Sequence, residues 1–184
     1  MTGIALLFLR VAMGGLLIGH GAQKLFGAFG GKGVQGTAQG FEKLGLEPAE
    51  EWAQVAGASE IAGGGLTALG FLSPVGPIVT AAPMVVAWRK KHGDTPIWGN
   101  QGGAELPLTN LTIAAALVLA GPGSISVDRL LGIKTPWWLS LLVIVGTAMG
   151  IVIALGDDIH EAAQAIDRED STSEPVMTES LASR

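Results

Sequence analysis

Two carboxylates, an imidazole and several cations stand within or beside the long apolar runs of this 184-residue chain. Glu60 is the single charge between Trp52 and Trp88. Glu105 opens a run that stops at Gly121-Pro122-Gly123, and Arg89 closes the run that begins after Ser73-Pro74. His20, Gln23 and Lys24 fall three and four residues apart, which puts them on one face of a helix. Ionisable groups are costly in an apolar medium unless they pair or meet a polar ligand. His20, Gln23, Lys24, Glu60, Arg89 and Glu105 therefore form a candidate ligand or proton site, with a packing ion-pair network as the structural alternative. Carboxylates exchange protons, imidazole donates and accepts, and the cations steady developing negative charge. Arg10 and Asp128 lie toward the other end of the runs and are expected to form a structural ion pair there.

Other chemistry is excluded or not indicated. With no cysteine, the chain has no disulfide, no thiolate ligand and no thiol chemistry of its own. Of the three histidines only His20 lies in an apolar run, whereas a transmembrane haem usually takes two axial ligands. No haem, flavin or metal is indicated. Gly31-Lys32-Gly33-Val34-Gln35-Gly36 matches the glycine pattern of dinucleotide sites, but an apolar helix precedes it where such sites require a strand, so it is read as a flexible loop. Charged residues make up 15% of the chain against about 25% in soluble domains. That composition argues against a disordered chain and a nucleic-acid binder, and for an all-α, polytopic membrane helix bundle.

The elements that must position these groups follow from the apolar runs, since a spanning helix needs about 20 mostly apolar residues. Five are expected: Ile4–Leu25, Trp52–Leu72, Val75–Trp88, Gly102–Ala120 and Trp137–Leu155. Arg10 inside the first run, with no Lys or Arg before it, favours a span over a signal peptide. The third run is short and holds Pro83, so it is tilted, kinked or continued by Arg89-Lys90-Lys91; a re-entrant course would change the topology. All five tryptophans fall at segment ends, where an indole suits the headgroup level. Small residues around Glu60 (Ala56, Gly57, Gly63, Gly64, Thr67) imply that another helix covers it. Gly15-x-x-x-Gly19 and Gly146-x-x-x-Gly150 are expected to let helices approach closely within the bundle. In the first loop, Thr37–Leu46 is expected to be an amphipathic surface helix with Phe41 and Leu44 on one face.

Charge orients the bundle. Residues 1–156 carry nine Lys/Arg against eight Asp/Glu, and residues 157–184 carry two against eight. Lys24, Lys32, Lys43 and Arg89-Lys90-Lys91 share one side of the five-span arrangement, which the positive-inside rule makes cytoplasmic. The N-terminus is then outside, and 157–184 forms an acidic cytoplasmic tail, a short helical stub followed by disorder.

The sequence resembles the DoxX family of bacterial membrane proteins. The resemblance rests on Leu9-Arg10, His20-Gly21-Ala22-Gln23-Lys24-Leu25-Phe26-Gly27, the glycine-rich loop and the segment Phe41 to Leu46. It continues through Glu60 in a glycine-rich span ending Leu69-Gly70-Phe71, Gly103-Ala104-Glu105, and Gly121 to Asp128. It covers about residues 4–130 and implies a four-helix unit over 1–130. A fifth span over 131–156 and the acidic tail are departures from that unit, and Ser124-Ile125-Ser126-Val127-Asp128 stands where an aromatic-Ser-Leu-Asp is more usual.

The resemblance implies a bacterial cell (inner) membrane location and a redox setting. The related DoxD-type subunit belongs to thiosulfate:quinone oxidoreductase. The expectation is an integral membrane subunit of an oxidoreductase complex in thiosulfate, sulfur or oxidative-stress metabolism, with quinone as its candidate cofactor and other redox proteins as partners; an oligomer is compatible with it. Whether the chain is itself an enzyme stays open. So do two alternatives: a non-catalytic scaffold anchoring soluble redox enzymes, and a small proton-coupled transporter with Glu60 as its proton site.

Overall fold

The chain is described by a computed structural model covering residues 2–93, 95–156 and 158. The described residues form seven α-helices: α1 (Thr2–Phe26), α2 (Gly33–Glu42), α3 (Ala49–Leu69), α4 (Val75–His92), α5 (Glu105–Ala120), α6 (Val127–Leu131) and α7 (Trp137–Ala154). No strand occurs among the described residues. Prolines and glycines set the boundaries. Pro48, Pro74 and Pro136 immediately precede α3, α4 and α7, where a missing N–H costs little. Glu50 and Glu51 in the first turn of α3 favour its positive end. Gly70, at φ 61°, ends α3 in the left-handed conformation, and its N–H satisfies carbonyls of the last turn. The short α6 is capped by Ser126, whose Oγ accepts from the Arg129 N–H at 3.2 Å.

Helix α3 is the centre of the packing. Its glycines are spaced for two neighbours. A Cβ on Gly14 would lie 2.4 Å from the Gly64 carbonyl oxygen, and one on Gly21 would lie 2.5 Å from that of Gly57. Gly14 and Gly21 of α1 thus meet Gly64 and Gly57 of α3 in antiparallel order, two turns apart on each helix. On another face of α3, a Cβ on Gly63 would fall 2.7 Å from Thr80 Cγ2, and one on Gly76 would fall 2.6 Å from the Thr67 nitrogen. This crossing brings α4 onto α3. Thr67 and Thr80 tolerate burial because their hydroxyls donate to carbonyls of their own helices, Gly63 at 2.7 Å and Pro77 at 2.9 Å. Met13, Leu17, Met84, Ala114 and Leu117 form the apolar core shared by α1, α4 and α5. Helix α7 packs on α4 and leaves most of its apolar surface exposed.

Several expectations are corrected. Gly15, Gly19, Gly146 and Gly150 make no close approach: a Cβ on any of them would meet nothing within 4 Å. The α1–α3 contact instead uses glycines seven residues apart, because two full turns return to the same face. The loop helix starts at Gly33, not near residue 37, and closes after Glu42 through the left-handed Gly45. Of the five expected spans, two helices among the described residues, α1 and α7, are by length and composition apolar enough to cross a membrane, and α5 is apolar with 16 residues. Trp88, Trp98, Trp137 and Trp138 are exposed at helix ends or just outside them. The tail expected over 157–184 lies outside the described residues apart from Asp158.

Candidate functional site

At the end of the bundle where α1 stops, a cavity of about 1070 Å³ opens among α1, α3, α4, α5 and α7. Its walls are mainly apolar: Trp52, Val55 and Ala56 from α3, Val79, Met84 and Val86 from α4, Leu142 and Val143 from α7. Phe41, Leu44 and Leu46 approach it from the α2 segment. Pro83 helps to form this space. Inside α4 it cannot donate to the Val79 carbonyl four residues back, which loosens the helix where both residues line the cavity. The glycines Gly146 and Gly150 have the open side of α7 because they too face this space.

A buried ion pair is set into the wall. Lys24 Nζ donates to Glu60 Oε2 at 2.7 Å; the Glu60 side chain is 2% exposed and that of Lys24 25%. The carboxylate is thus covered by helices, as the small residues around it implied, while the ammonium keeps an open side. An ammonium has three N–H donors, and Glu60 takes one. His20, one turn before Lys24, also lines the cavity.

The remaining candidates separate. Glu105 lines the cavity from an exposed position, and its Oε2 accepts from the Gly99 N–H at 2.8 Å, which pins the loop before α5. Thr109 and Thr112, which continue its stripe, turn their hydroxyls back to the Glu105 and Leu108 carbonyls. Gln23 does not line the cavity: it faces the turn after α1, where Gly31 packs against it and its Nε2 reaches the Phe29 carbonyl at 3.5 Å. Arg89 is exposed and away from the lining. Its place is taken by Lys90, Lys91 and His92. Val79, Pro83, Val86 and Lys90 lie three, four or seven residues apart on one face of α4. Lys90 is paired to Asp158 at 2.7 Å. His92 Nδ1 donates to the Gly102 carbonyl, closing the α4–α5 loop. Asn110, a buried lining residue from α5, lies outside the set of ionisable groups that the sequence marks. Its signal in the sequence is a polar residue on the otherwise apolar face Pro107, Ala114, Leu117.

The far end of the bundle is different. Arg10 and Asp128 are both buried, but they do not form the direct ion pair expected. Among the described residues the ion pairs are Lys24–Glu60 and Lys90–Asp158. The Asp128 oxygens are already occupied: Oδ1 accepts from the Leu72 N–H and Oδ2 from the Ser73 N–H, each at 2.8 Å. The guanidinium donates to the Ile125 carbonyl and, at 3.4 Å, to that of Leu6. The carboxylate thus caps the α3–α4 turn and the guanidinium holds the loop before α6, a structural role by two separate routes. Among the described residues no cluster of His, Asp or Glu has the grouping of a metal site.

Residues 5–93 match the family model DoxX. No curated protein and no solved structure matches the chain. The family match ends with α4, so it includes the Lys24–Glu60 pair and leaves Glu105, Asn110 and Asp128 beyond it.

Proposed function

From the premise that this chain belongs to the DoxX family, a family of membrane proteins, we propose that it is an integral subunit of a membrane redox complex and holds a quinone in the cavity between α1, α3, α4, α5 and α7. The observation that carries this is a buried cation–carboxylate pair opening into a large apolar cavity. Quinones are amphiphiles with a polar, redox-active head and an apolar tail, and the cavity offers surface of both kinds. The fit lies in the donor set. Lys24 Nζ has N–H groups left to donate to a carbonyl oxygen, Glu60 can accept from a hydroxyl, and His20 can do either. When bound, a quinone supplies two-electron, two-proton chemistry. Lys24 positions the head, Glu60 and His20 hold and move protons, and the helices over Glu60 keep water from it. In this reading a partner redox subunit supplies the electrons, since the chain has no cysteine and hence no thiol chemistry or thiolate-held cluster of its own.

In this proposal residues 1–130 form the four-helix membrane unit, α7 is a fifth span over 131–156, and the acidic segment 157–184 is its tail. The Lys24–Glu60 end faces the cytoplasm of a bacterial inner membrane by the positive-inside rule, and the N-terminus is outside.

The test is mass spectrometry of organic extracts from purified protein, wild type beside Glu60→Gln. Near-stoichiometric quinone in the wild type and its loss in the variant is the expected result. Quinone in neither preparation, together with no binding of added quinone, would remove the assignment and favour a scaffold that anchors soluble enzymes.

A further inference from the structure

We propose that Asn110 is a second polar anchor of the cavity, and that the ligand head therefore carries oxygen atoms at two ends, as a para-quinone does. This rests on the quinone assignment above and narrows it, since an amphiphile with one polar end would need the Lys24–Glu60 pair alone.

Asn110 is 5% exposed, yet it lines the cavity. Its side chain has one contact of hydrogen-bonding type: Nδ2 lies 3.5 Å from Met84 Sδ. A thioether is a weak acceptor, and no partner for the amide oxygen occurs among the described residues. The amide oxygen is not sealed off among the fully buried atoms, and the residue borders the cavity, so the oxygen can accept from what lies there. Neighbouring polar groups of α5 cannot substitute for it, because the Thr109 and Thr112 hydroxyls are turned back on their own helix.

The chemistry of the two walls is matched. Lys24–Glu60 combines a donor with an acceptor, and so does a carboxamide. Each wall can donate to a carbonyl oxygen and accept from a hydroxyl. A head that is a dicarbonyl when oxidised and a dihydroxyl when reduced is satisfied at both ends in both states.

The experiment uses the full chain in detergent with a short-tailed benzoquinone carrying 13C at one carbonyl or the other. Binding and the infrared frequencies of the two carbonyls are read in wild type, Asn110→Leu and Thr112→Val. In the wild type both carbonyl stretches should lie below their unbound frequencies, by different amounts. Asn110→Leu should return one of them to the unbound frequency and weaken binding about 5- to 10-fold, the effect of one buried hydrogen bond. Thr112→Val, on α5 but outside the cavity lining, should leave both stretches where they were. Should leucine at 110 prevent folding, Asn110→Thr gives the same reading, since its hydroxyl is expected to turn back to Leu106 as its neighbours do. Wild-type binding with both stretches unchanged in the Asn110 variants would overturn this inference and leave the quinone assignment standing. A Thr112→Val variant that reproduces Asn110→Leu would overturn it too, by showing that any loss of a polar group on α5 disturbs the ligand. Failure of the wild type to bind the quinone would overturn both.

Discussion

At one end of the bundle a cation of α1 and a carboxylate from a distant segment are 3% and 4% exposed, do not touch each other, and are spent on main-chain groups. At the other end a second cation of α1 and a second carboxylate touch at 2.7 Å and open into about 1070 Å³ of mainly apolar space. The space beside Arg10 is about 10 Å³, near the volume of a single water probe. The residue types are alike, so charge alone does not distinguish a structural from a functional polar group. The surroundings do. Around Arg10 and Asp128, a tight turn supplies N–H and C=O groups that need partners; both carboxylate oxygens and the guanidinium Nε and Nη2 are taken by main-chain groups, while Arg10 Nη1 is buried without a partner among the described residues. Around Lys24 and Glu60, the helices satisfy their own backbones and leave the side chains' remaining donors and acceptors free.

The most damaging way to break this contrast is to disturb the closed end. Gly70 sits at φ 61°, and a Cβ there would lie 1.5 Å from Arg10 Nη1 and 2.8 Å from Ser126 Cβ. Gly70→Val combines a conformation that a β-branched residue rarely adopts with displacement of a buried guanidinium. The expected destabilisation is about 4 kcal/mol or more, enough to lose the folded protein on purification. A Gly70→Val protein that purifies and melts as the wild type does would mean that Arg10 is not held there. Asp128→Asn is the next step down. The amide retains one acceptor but presents N–H where the Ser73 N–H now donates to carboxylate. The loss of a hydrogen bond to a charged group suggests about 2 kcal/mol, a drop in Tm of about 4–8 °C for a chain of this length. Quinone retention by the surviving folded protein should be unchanged, since the cavity is lined from the other end. A fall in retention without a fall in Tm would join the two ends functionally and undo the comparison.

How much of this was legible in the sequence follows the same division. Helices and their ends were legible, because prolines, glycines and apolar runs act locally: α7 begins at the predicted Trp137, and α4 at the predicted Val75. Glu60 beneath a helix was legible from its small neighbours. What was not legible is which of several equivalent groups meet. Arg89 is one of four consecutive basic or imidazole residues, Arg89 to His92, and nothing in that run shows that the last three line the cavity and the first does not. Gly15 and Gly19 matched a known packing spacing, but the helix pair used Gly14 and Gly21, a choice made jointly with α3. The Arg10–Asp128 expectation had both residues in the right place and the wrong bond. A sequence displays side-chain charges and hides the backbone groups of a turn, which are the partners that Leu72 and Ser73 supplied.

The mildest change sharpens the open end. Gly146 is in the interior of α7 and lines the cavity, and a Cβ added there meets nothing within 4 Å. Leucine at this position should therefore relieve the conformational cost of a helical glycine without a clash, a gain of about 0.5–1 kcal/mol. It also fills part of the space in which the ligand would lie. Gly146→Leu is expected to raise Tm by a degree or two while lowering quinone retention several-fold, a pairing of signs that general damage cannot produce. The same substitution at Gly14, whose Cβ would meet the α3 backbone, has no such outcome open to it. If Gly146→Leu raised Tm and left retention at the wild-type level, α7 would be a neighbour of the cavity and not a wall of the site. The ligand would then lie against α1, α3, α4 and α5, where Lys24, Glu60 and Asn110 are.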